Sequence, residues 1–318
     1  MVKLVDIARA ANVSKAAVSY AFSSDPAKRS KLSAGTLERI LATAAKFNYR
    51  PSMAGRGLSL GRSFSVVLLL PSHCARNISS HNLGMFHGVS SVISSSDYNL
   101  LVFFGCQKRF LADLAQHRFD GVMMISKLAD AAAIHEVEQT GVPFVLLGRS
   151  YPVAEKTGSV GSDFTAWSER FLRQYADRQS GKLYLYCRLN AGQAVDEEVV
   201  KAVQTIAGKY QMQLELKELD DFRQAPEDAG AVMFRSVTPE VEAFLAASTI
   251  PATVWTGKKL PVRQDMLLSY HDSFNIGASG AELLLDMISG KRPAQNILID
   301  SCGTEYYQNK FADYTLDF

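Results

Sequence analysis

The first 62 residues differ from the rest of the chain in charge and in hydrophobic pattern. They hold eleven Lys and Arg side chains against three acidic ones, a formal charge of +8. The other 256 residues hold 23 basic and 29 acidic side chains, a formal charge of −6. A basic end on a mildly acidic body is expected when one end contacts a polyanion and the other does not. The chain is therefore predicted to contain two parts with different partners.

Apolar residues in the basic segment recur with helical spacing. Their positions across residues 4–11, at i, i+3, i+4 and i+7, predict a first helix that ends at Asn12. Ser14 is placed to cap a second helix, and Ser33 to cap a third. The third helix has a predicted buried stripe of Leu37, Ile40, Leu41, Ala44 and Phe47. The first two helices have the spacing of a helix-turn-helix.

The second helix is expected to face outward with short and polar side chains. Lys15, Ala16 and Tyr20 are the candidates for reading base edges in the major groove. The candidates for phosphate contact are Ser14, Ser19, Lys28, Arg29, Lys31 and Arg56. An ordinary solvated helix face is the alternative interpretation.

The segments VDIARAANVSKAAVSYAF and SAGTLERILATAAKFNYRPSMAGRGLSLGRS resemble the DNA-binding head of the LacI/GalR family of bacterial transcription regulators. The resemblance implies a helix-turn-helix DNA-binding domain over residues 1–50 and a hinge helix or linker over residues 51–62. It also implies that each hinge helix of a homodimer inserts one leucine, here Leu58, into the minor groove of operator DNA. A flexible linker in which Leu58 has no role is the alternative.

Two glycines in the predicted hinge stand where better helix formers are usual. Gly55 and Gly57 flank Arg56, and each costs a helix about 1 kcal/mol relative to alanine. The hinge is therefore expected to be costly to order. Replacement of both glycines by alanine is expected to tighten operator binding.

From residue 63 onward, short apolar runs alternate with helical stretches. The predicted strands are Val66–Leu70, Leu100–Phe104, Val122–Ile125, Phe144–Leu147, Leu183–Tyr186, Leu214–Lys217, Ala231–Phe234, Thr253–Trp255, Met266–Ser269 and Ile297–Ile299. Such alternation predicts parallel sheets with helices on both faces. The predicted fold class is a small all-α helix-turn-helix head plus an α/β two-lobed body with parallel sheets.

The resemblance extends into the body through RFDGVMMI, GVPFVLLGR, SVGSDFTAW and HDSFNIGASGAELLLDMISGKRP. It implies a periplasmic-binding-protein-like effector-binding and dimerisation domain over residues 63–318. The first lobe is assigned to residues 63–158 and 274–291, and the second to residues 159–273 and 292–318. A small-molecule effector, sugar-like by this resemblance, is expected between the lobes, where loops follow the carboxyl ends of strands.

The candidate effector-binding residues are His81, Asn82, Arg149, Asp163, Thr256 and His271. Structural roles compete with this assignment. Arg149 and Asp163 are as well suited to an ion pair, and His81 to an exposed loop. Trp167 has helical spacing, which favours the core over stacking on a sugar.

Two positions depart from the family pattern. Asp196 stands where relatives place an arginine, and Thr256 and Gly257 stand where an acidic residue is usual. Together these two family residues clamp a polar edge of the ligand. The effector is therefore unusual, or there is none.

The sequence contains no motif of catalysis or metal binding. GxSxG, HExxH, Walker A and GxGxxG motifs are all missing, so the chain is not expected to be an enzyme or to need a cofactor. The four cysteines have neither zinc-site nor disulfide-framework spacing. No apolar run approaches the roughly 20 residues that cross a bilayer, which predicts a cytoplasmic protein without a membrane partner.

These features predict a sequence-specific transcription regulator, in particular a repressor. It is expected to bind double-stranded operator DNA of near-palindromic sequence as a homodimer and to respond to a small molecule. The alternative is a cytoplasmic solute-binding or sensor protein whose body has lost effector binding or acts without DNA.

Overall fold

A computed structural model describes residues 2–23, 26–50, 53–105, 108–125, 131–148, 154–175, 181–188, 194–256 and 267–301. The chain divides into two compact units, Met1–Phe64 and Ser65–Phe318. This division lies two residues from the boundary drawn from the sequence between the hinge and the body. We refer to the first unit as the head and to the second as the body.

The head consists of short helices. They are α1 (Leu4–Ala10), α2 (Lys15–Ala21), α3 (Pro26–Arg29), α4 (Ala34–Lys46) and α5 (Met53–Leu60). The three helices predicted before the hinge are present, and α3 is an addition. The core is small, with Ile7, Val18 and Ile40 fully buried among alanines of α1, α2 and α4.

The helix ends in the head follow the sequence. Asn12 and Asn48 adopt left-handed conformations, with φ of +54° and +48°, which asparagine tolerates better than most residues. Ser14 Oγ accepts a hydrogen bond from the backbone N of Ala17 at 3.1 Å. Ser33 Oγ likewise caps α4. The predicted turn between α1 and α2 and both predicted serine caps are confirmed.

The predicted buried stripe of α4 is partly wrong. Leu41 is 43% exposed and Phe47 is 42% exposed. Phe47 is the C-cap, one residue beyond the helix, so it does not continue the helical stripe. Leu41 follows the fully buried Ile40 directly, and neighbouring helical residues point about 100° apart.

The end of α5 gives Gly57 a specific role. The chain turns at Gly61, where φ is +62°, and the backbone N of Arg62 donates to the Gly57 carbonyl oxygen at 3.0 Å. A Cβ on residue 57 would lie 2.4 Å from the Arg62 carbonyl oxygen. The expectation that alanine improves the hinge at both glycines therefore fails at Gly57, because the backbone occupies that space.

The body contains two parallel sheets. The strands are β1 (Ser65–Leu70), β2 (Asn99–Phe104), β3 (Gly121–Ile125), β4 (Phe144–Leu147), β5 (Thr157–Ser162), β6 (Lys182–Cys187), β7 (Leu214–Glu218), β8 (Ala229–Phe234), β9 (Ala252–Thr256), β10 (Leu267–Tyr270) and β11 (Asn296–Ile299). The first sheet has the order β11-β5-β4-β3-β1-β2, and the second has the order β10-β9-β8-β6-β7. The predicted parallel, two-lobed α/β architecture is confirmed.

Helices cover both faces of these sheets. They are α6 (Ser80–Ile93), α7 (Lys108–Ala115), α8 (Ala131–Gln139), α9 (Phe164–Tyr175), α10 (Ala194–Lys209), α11 (Pro239–Ala247) and α12 (Ser273–Ser289). Apolar clusters lie on each side of each sheet. All ten predicted strands overlap observed ones, whereas β5 and α8 were not predicted.

The lobe boundaries drawn from the sequence need a correction. Residues 159–162 and 292–301 were assigned to the second lobe, but β5 and β11 both belong to the first sheet. They pair in parallel, with Asn296 opposite Ser159 and Ile299 opposite Ser162. The remainder of the assigned terminal segment, residues 302–318, lies outside the described residues.

Helices α6 and α12 pack closely on the first sheet. A Cβ on Gly88 would lie 2.0 Å from the Phe274 carbonyl oxygen, and a Cβ on Gly277 would lie 2.1 Å from the Met85 carbonyl oxygen. Since α12 follows β10 of the second sheet directly, the chain crosses between the sheets at residues 271–272. This crossing holds His271 beside the first turn of α6.

Candidate functional site

The head presents the predicted DNA-reading residues on one face of α2. Ser14, Lys15, Ala16 and Ser19 are exposed, and Tyr20 is half-buried. The opposite face carries Val18 and Ala21, which are buried against α1 and α4. Within the head, this face of α2 is therefore exposed and can enter a DNA groove, as the periodicity of the sequence predicts.

Basic side chains surround this face. Lys31 Nζ lies 5.6 Å from the centre of the Tyr20 ring, which places a phosphate candidate beside a base-reading candidate. Lys28 and Arg29 are exposed in the last turn of α3. These positions suit contact with the backbone of a duplex that α2 enters.

Two other arginines of the head pack against protein groups. Arg39 Nε donates to the Ala11 carbonyl oxygen at 3.1 Å and so ties α4 to the end of α1. The Arg56 guanidinium lies 4.8 Å from the centre of the Phe64 ring. Leu58 lies in α5, and its side chain is outside the described residues.

The body brings together two histidines from distant parts of the chain. His81 lies in the first turn of α6 and His271 follows β10, and their ring centroids are 4.5 Å apart. His81 Nδ1 is hydrogen-bonded to Ser273 Oγ at 2.6 Å, and His271 Nδ1 to Ser162 Oγ at 2.9 Å. We call His81 and His271 the histidine pair. It joins the carboxyl ends of β5 and β10 to the first turns of α6 and α12.

Aromatic and cationic side chains extend the histidine pair. Trp255 packs edge-on against His271 with ring centroids 5.0 Å apart, and Phe164 lies 4.6 Å from Trp255. The guanidinium of Arg235, directly after β8, lies 5.4 Å from the centre of the Phe164 ring. Ligands of parallel α/β sheets bind beyond the carboxyl ends of strands, and this cluster occupies that position.

Both histidines are neutral at physiological pH. Burial, with a smaller effect of the positive charge of Arg235, lowers the pKa of His81 from 6.5 to about 4. Burial also lowers the pKa of His271 well below 6.5, with added effects of His81 and Arg235. A neutral imidazole offers one hydrogen-bond donor and one acceptor. The pair is therefore a polar, uncharged group close to the half-buried cation Arg235.

The other effector candidates have local roles or lie outside the described residues. The Asn82 amide donates to Cys74 Sγ at 3.2 Å, and Asp163 Oδ1 accepts from the backbone N of Ala166 at 2.9 Å. Arg149 is outside the described residues, so an ion pair with Asp163 stays a prediction. Thr256 ends β9, and its side chain is also outside the described part.

The structure decides two of the competing interpretations. Trp167 is fully buried, and its Nε1 donates to Thr253 Oγ1 at 3.2 Å, which confirms the core interpretation. The exposed-loop interpretation of His81 is wrong, because His81 lies in a helix and is bound to Ser273.

Several residues of the cluster were missed by sequence reasoning. They are Ser162, Phe164, Arg235, Trp255 and Ser273. Arg235 directly follows a predicted strand and Trp255 ends another, so both positions could have been selected as candidates from the sequence. Ser162 and Phe164 flank the carboxyl end of β5, a strand that was not predicted. Both lie in the segment SVGSDFTAW, from which only Asp163 was selected as a candidate.

The head matches a known family. The profile of the family described as "Bacterial regulatory proteins, lacI family" matches residues 3–52. The match is confined to the head, where the chain is similar to this family. The matched segment covers α1 to α4, including the exposed face of α2.

Curated proteins similar to this chain include bacterial transcription regulators. The chain is 30% identical over 172 residues to the "Probable HTH-type transcriptional repressor ExuR" of Bacillus subtilis (strain 168), across 51% of this chain. The match spans 48% of that relative, so it covers about half of its length. Catabolite control protein A of Staphylococcus xylosus is 20% identical over 254 residues, which cover 78% of this chain and 74% of that relative.

Solved structures share the fold of this chain. The Lac repressor dimer bound to operator and the anti-inducer ONPF is 15% identical, with a TM-score of 0.62 over 94% of this chain and 96% of that one. The transcriptional regulator CelR in complex with cellobiose is 17% identical, with a TM-score of 0.59 over 95% of this chain and 98% of that one. The helical head and two-lobed body are thus a shared architecture.

None of the helices in the described residues combines the length and apolar character needed to cross a bilayer. No group of three or more His, Cys, Asp or Glu side chains in the described segments is arranged to hold a metal ion. Cys74 and Cys187 are buried free thiols, and the other two cysteines lie outside the described residues.

Proposed function

We propose that this chain is a sequence-specific transcription repressor that binds a near-palindromic operator as a homodimer and responds to a small sugar-like molecule. The observation that carries the proposal is the exposed face of α2, within a head that matches the lacI profile. On this proposal Lys15, Ala16 and Tyr20 contact base edges, and neighbouring cations contact phosphates. The protein acts in the cytoplasm, without catalysis and without a cofactor.

The edge of the first sheet supports a homodimer. Strand β2 is the last strand of that sheet, and Leu101, Val102 and Phe104 are each more than a third exposed. An apolar strand at a sheet edge invites pairing unless something covers it. A second copy of the chain, placed against the same strand, covers this edge. A dimer also places two heads on two half-sites of a palindrome.

The body supports regulation by a ligand. The histidine pair joins elements of both sheets, so a ligand bound there favours one arrangement of the lobes over another. The name of the CelR complex includes a sugar, cellobiose, and that protein shares the fold. On this proposal the arrangement of the lobes determines whether the two heads of a dimer match the spacing of an operator.

A DNA titration tests the proposal against the alternative of a sensor without DNA. An operator is first selected from random duplexes with the full-length protein, and its affinity is then measured by gel shift between 50 and 200 mM salt. Four cationic phosphate candidates in each head give eight in a dimer, so log K against log salt has an expected slope of about −7. A protein that binds sugars but gives no salt-dependent shift is a solute sensor, and the proposal is then wrong.

A matched pair of variants sharpens this titration. Lys28→Gln removes one proposed phosphate contact from each head and reduces the slope by about 2 in a dimer. Lys201→Gln removes an equally exposed lysine from α10 in the body and leaves the slope unchanged. An equal effect of both changes contradicts the assignment of phosphate contacts to the head.

A further inference from the structure

The segment between α5 and β1 turns back on the helix. Gly61 and Phe64 both adopt left-handed backbone conformations, with φ of +62° and +52°. Glycine adopts this conformation readily, but for an aromatic residue it is uncommon and strained. Strain of this kind persists only where the surrounding structure imposes it. The conformation of Phe64 therefore calls for a contact that holds it.

That contact is with the helix itself. Phe64 is buried, with 5% of the residue exposed, and the Arg56 guanidinium lies 4.8 Å from the centre of its ring. A cation over an aromatic face is attracted by the negative charge of the π system. A Cβ on Gly57 would lie 3.9 Å from Phe64 Cδ2, an ordinary van der Waals distance. The ring thus lies against the middle of α5.

A backbone hydrogen bond closes the same end of the helix. The backbone N of Arg62 donates to the Gly57 carbonyl oxygen at 3.0 Å, across the left-handed Gly61. This is the bond of a Schellman motif, which satisfies a carbonyl oxygen that a helix end otherwise leaves open. We call Arg56, Gly57, Gly61, Arg62 and Phe64 the hinge clasp. Its members all lie between residues 56 and 64, so no contact with DNA or with a second copy of the chain is needed to form it.

The helix depends on such support. It has eight residues, and isolated helices shorter than about twelve residues are marginal in water. Gly55 and Gly57 each disfavour the helix about five-fold relative to alanine. Without the hinge clasp, the second half of α5 is therefore expected to unwind until it meets DNA.

We propose that Phe64 is a positioning residue for operator binding: together with Arg56 it keeps the second half of α5 helical before DNA binds. Leu58 lies in that half, so the hinge clasp places the proposed wedge on a helix in advance. The inference rests on the proposed function, because it concerns how the hinge meets an operator. A guanidinium that stacks by its face still donates in its own plane, so this role is compatible with a phosphate contact of Arg56.

Hydrogen exchange in the full-length protein without DNA tests the hinge clasp directly. The amides of residues 57–62 are expected to exchange, on average, about ten-fold more slowly than in an unstructured chain, since they belong to the helix and its closing turn. Phe64→Leu keeps an apolar side chain and removes the ring, so it is expected to abolish this protection. Phe47→Leu is the matched control, because it removes an exposed ring at the end of α4, and it leaves exchange in the hinge unchanged.

A double-mutant cycle tests whether the ring and the guanidinium act together. Arg56→Met keeps an apolar stem and removes the charge, and it is combined with Phe64→Leu. Two residues that act through one contact give a double variant no less protected from exchange than either single variant. Because DNA is absent from this measurement, a phosphate contact of Arg56 does not enter it.

Gel shifts connect the hinge clasp to DNA. Phe64→Leu removes the contact from both hinges of a dimer and is expected to weaken binding to a selected operator about ten-fold. Binding to random DNA depends on phosphate contacts and is expected to change little. Phe47→Leu leaves both affinities unchanged. An operator affinity that Phe64→Leu does not change contradicts the positioning role.

Separate outcomes decide the two proposals. If residues 57–62 of the free protein exchange as fast as an unstructured chain, the hinge orders only on DNA and the inference is overturned. Equal effects of Phe64→Leu and Phe47→Leu, or additive effects in the double-mutant cycle, overturn it as well. Thermal unfolding shows whether each variant folds, and Arg56→Met, at a half-buried position, replaces Phe64→Leu if that variant does not. Hydrogen exchange needs no DNA, whereas a missing salt-dependent gel shift overturns the proposed function, whatever the hinge does.

Discussion

The head and the histidine pair of the body use charge in opposite ways. In the head, Lys15, Lys28 and Arg29 are exposed on short helices, where they remain solvated until a partner arrives. In the body, burial and the positive charge of Arg235, which lies over the Phe164 ring, both lower the pKa of His81 and His271. Exposed charges act over a distance and are screened by salt, whereas charges at buried groups act locally and affect stability. The head is therefore expected to respond to ionic strength and the body to pH and packing.

The largest expected effect concerns the packing of the body. Gly277→Ala places a Cβ about 2 Å from a backbone oxygen of α6, so α6 and α12 must separate. We expect the body to lose about 3 kcal/mol of unfolding free energy, the upper end of the range for overpacked cores. Urea unfolding followed by tryptophan fluorescence measures this loss.

The control for this change is Gly208→Ala in α10. No atom of the described residues lies within 4 Å of a Cβ at position 208, and alanine is a better helix former than glycine. This variant is expected to be as stable as the parent, or more stable by up to about 1 kcal/mol. Equal destabilisation by both changes contradicts the close approach of α6 and α12.

The next prediction concerns pH, which is expected to affect the stability of the body more than the DNA affinity of the head. His81 has a pKa of about 4 in the folded body and 6.5 when unfolded, so the unfolded chain binds more protons between these values. The unfolding free energy of the body is therefore highest above pH 6.5, where His81 is neutral in both states. It decreases as the pH falls towards 4. The loss amounts to at most about 3 kcal/mol. His271 acts in the same direction.

Urea unfolding at pH 7.5, 6.5, 5.5 and 4.5 measures this loss. His81→Asn is expected to reduce the pH dependence, and the part that is due to His271 remains. His117→Asn is the matched control, since residue 117 is exposed and has a φ of +53° that asparagine tolerates, and it keeps the full dependence. The head contains no histidine, so its DNA affinity is expected to vary little over the upper half of this range. A body whose stability is flat from pH 7.5 to 4.5 contradicts the buried neutral pair.

A third prediction tests the hinge on DNA. Leu58→Ala is expected to weaken binding to a selected operator about ten-fold, because the apolar wedge that opens a base step is removed. Binding to random DNA depends on phosphate contacts and is expected to change little. Leu60→Ala, at a 49% exposed position two residues further along α5, is the control and leaves both affinities unchanged. Equal losses on operator and random DNA would exclude the wedge.

The smallest expected effect distinguishes the two hinge glycines. Gly55→Ala at an exposed position gains up to about 1 kcal/mol of helix stability, which corresponds to roughly five-fold tighter operator binding per hinge. Gly57→Ala meets the Arg62 carbonyl oxygen and is expected to weaken binding. Gel shifts on the same operator compare the two variants. If both variants tighten binding equally, the close approach of the Arg62 carbonyl oxygen to Gly57 is contradicted.

Local sequence signals predicted the head well. The helices, the left-handed Asn12 and the caps Ser14 and Ser33 each depend on residues within a few positions of one another. Burial was harder to predict in the same unit. Leu41 is apolar and lies next to the buried Ile40, yet it is exposed, because its burial depends on what the short neighbouring helices cover.

In the body, the strand that was missed shows why periodicity has limits. Strand β5 reads TGSVGS, with glycines and serines in place of an apolar run. A Cβ on Gly158 would lie 2.9 Å from the Gln295 carbonyl oxygen and 3.0 Å from Leu283 Cδ2. Small residues are required there by β11 and α12, which follow more than a hundred residues later. No local pattern contains that requirement.

The sequence by itself determined the division into a basic helical head and an acidic α/β body, the parallel sheets, and the residues that face outward on α2. These properties follow from charge, capping and periodicity, which act over a few residues. The tertiary structure alone decided that His81 and His271 meet, that Arg235 and Trp255 lie beside them, and that β11 returns to the first sheet. The reason is physical: these groups are brought together by strand order and by a crossing between sheets, and the pKa values of the histidines shift only once neighbours exclude water.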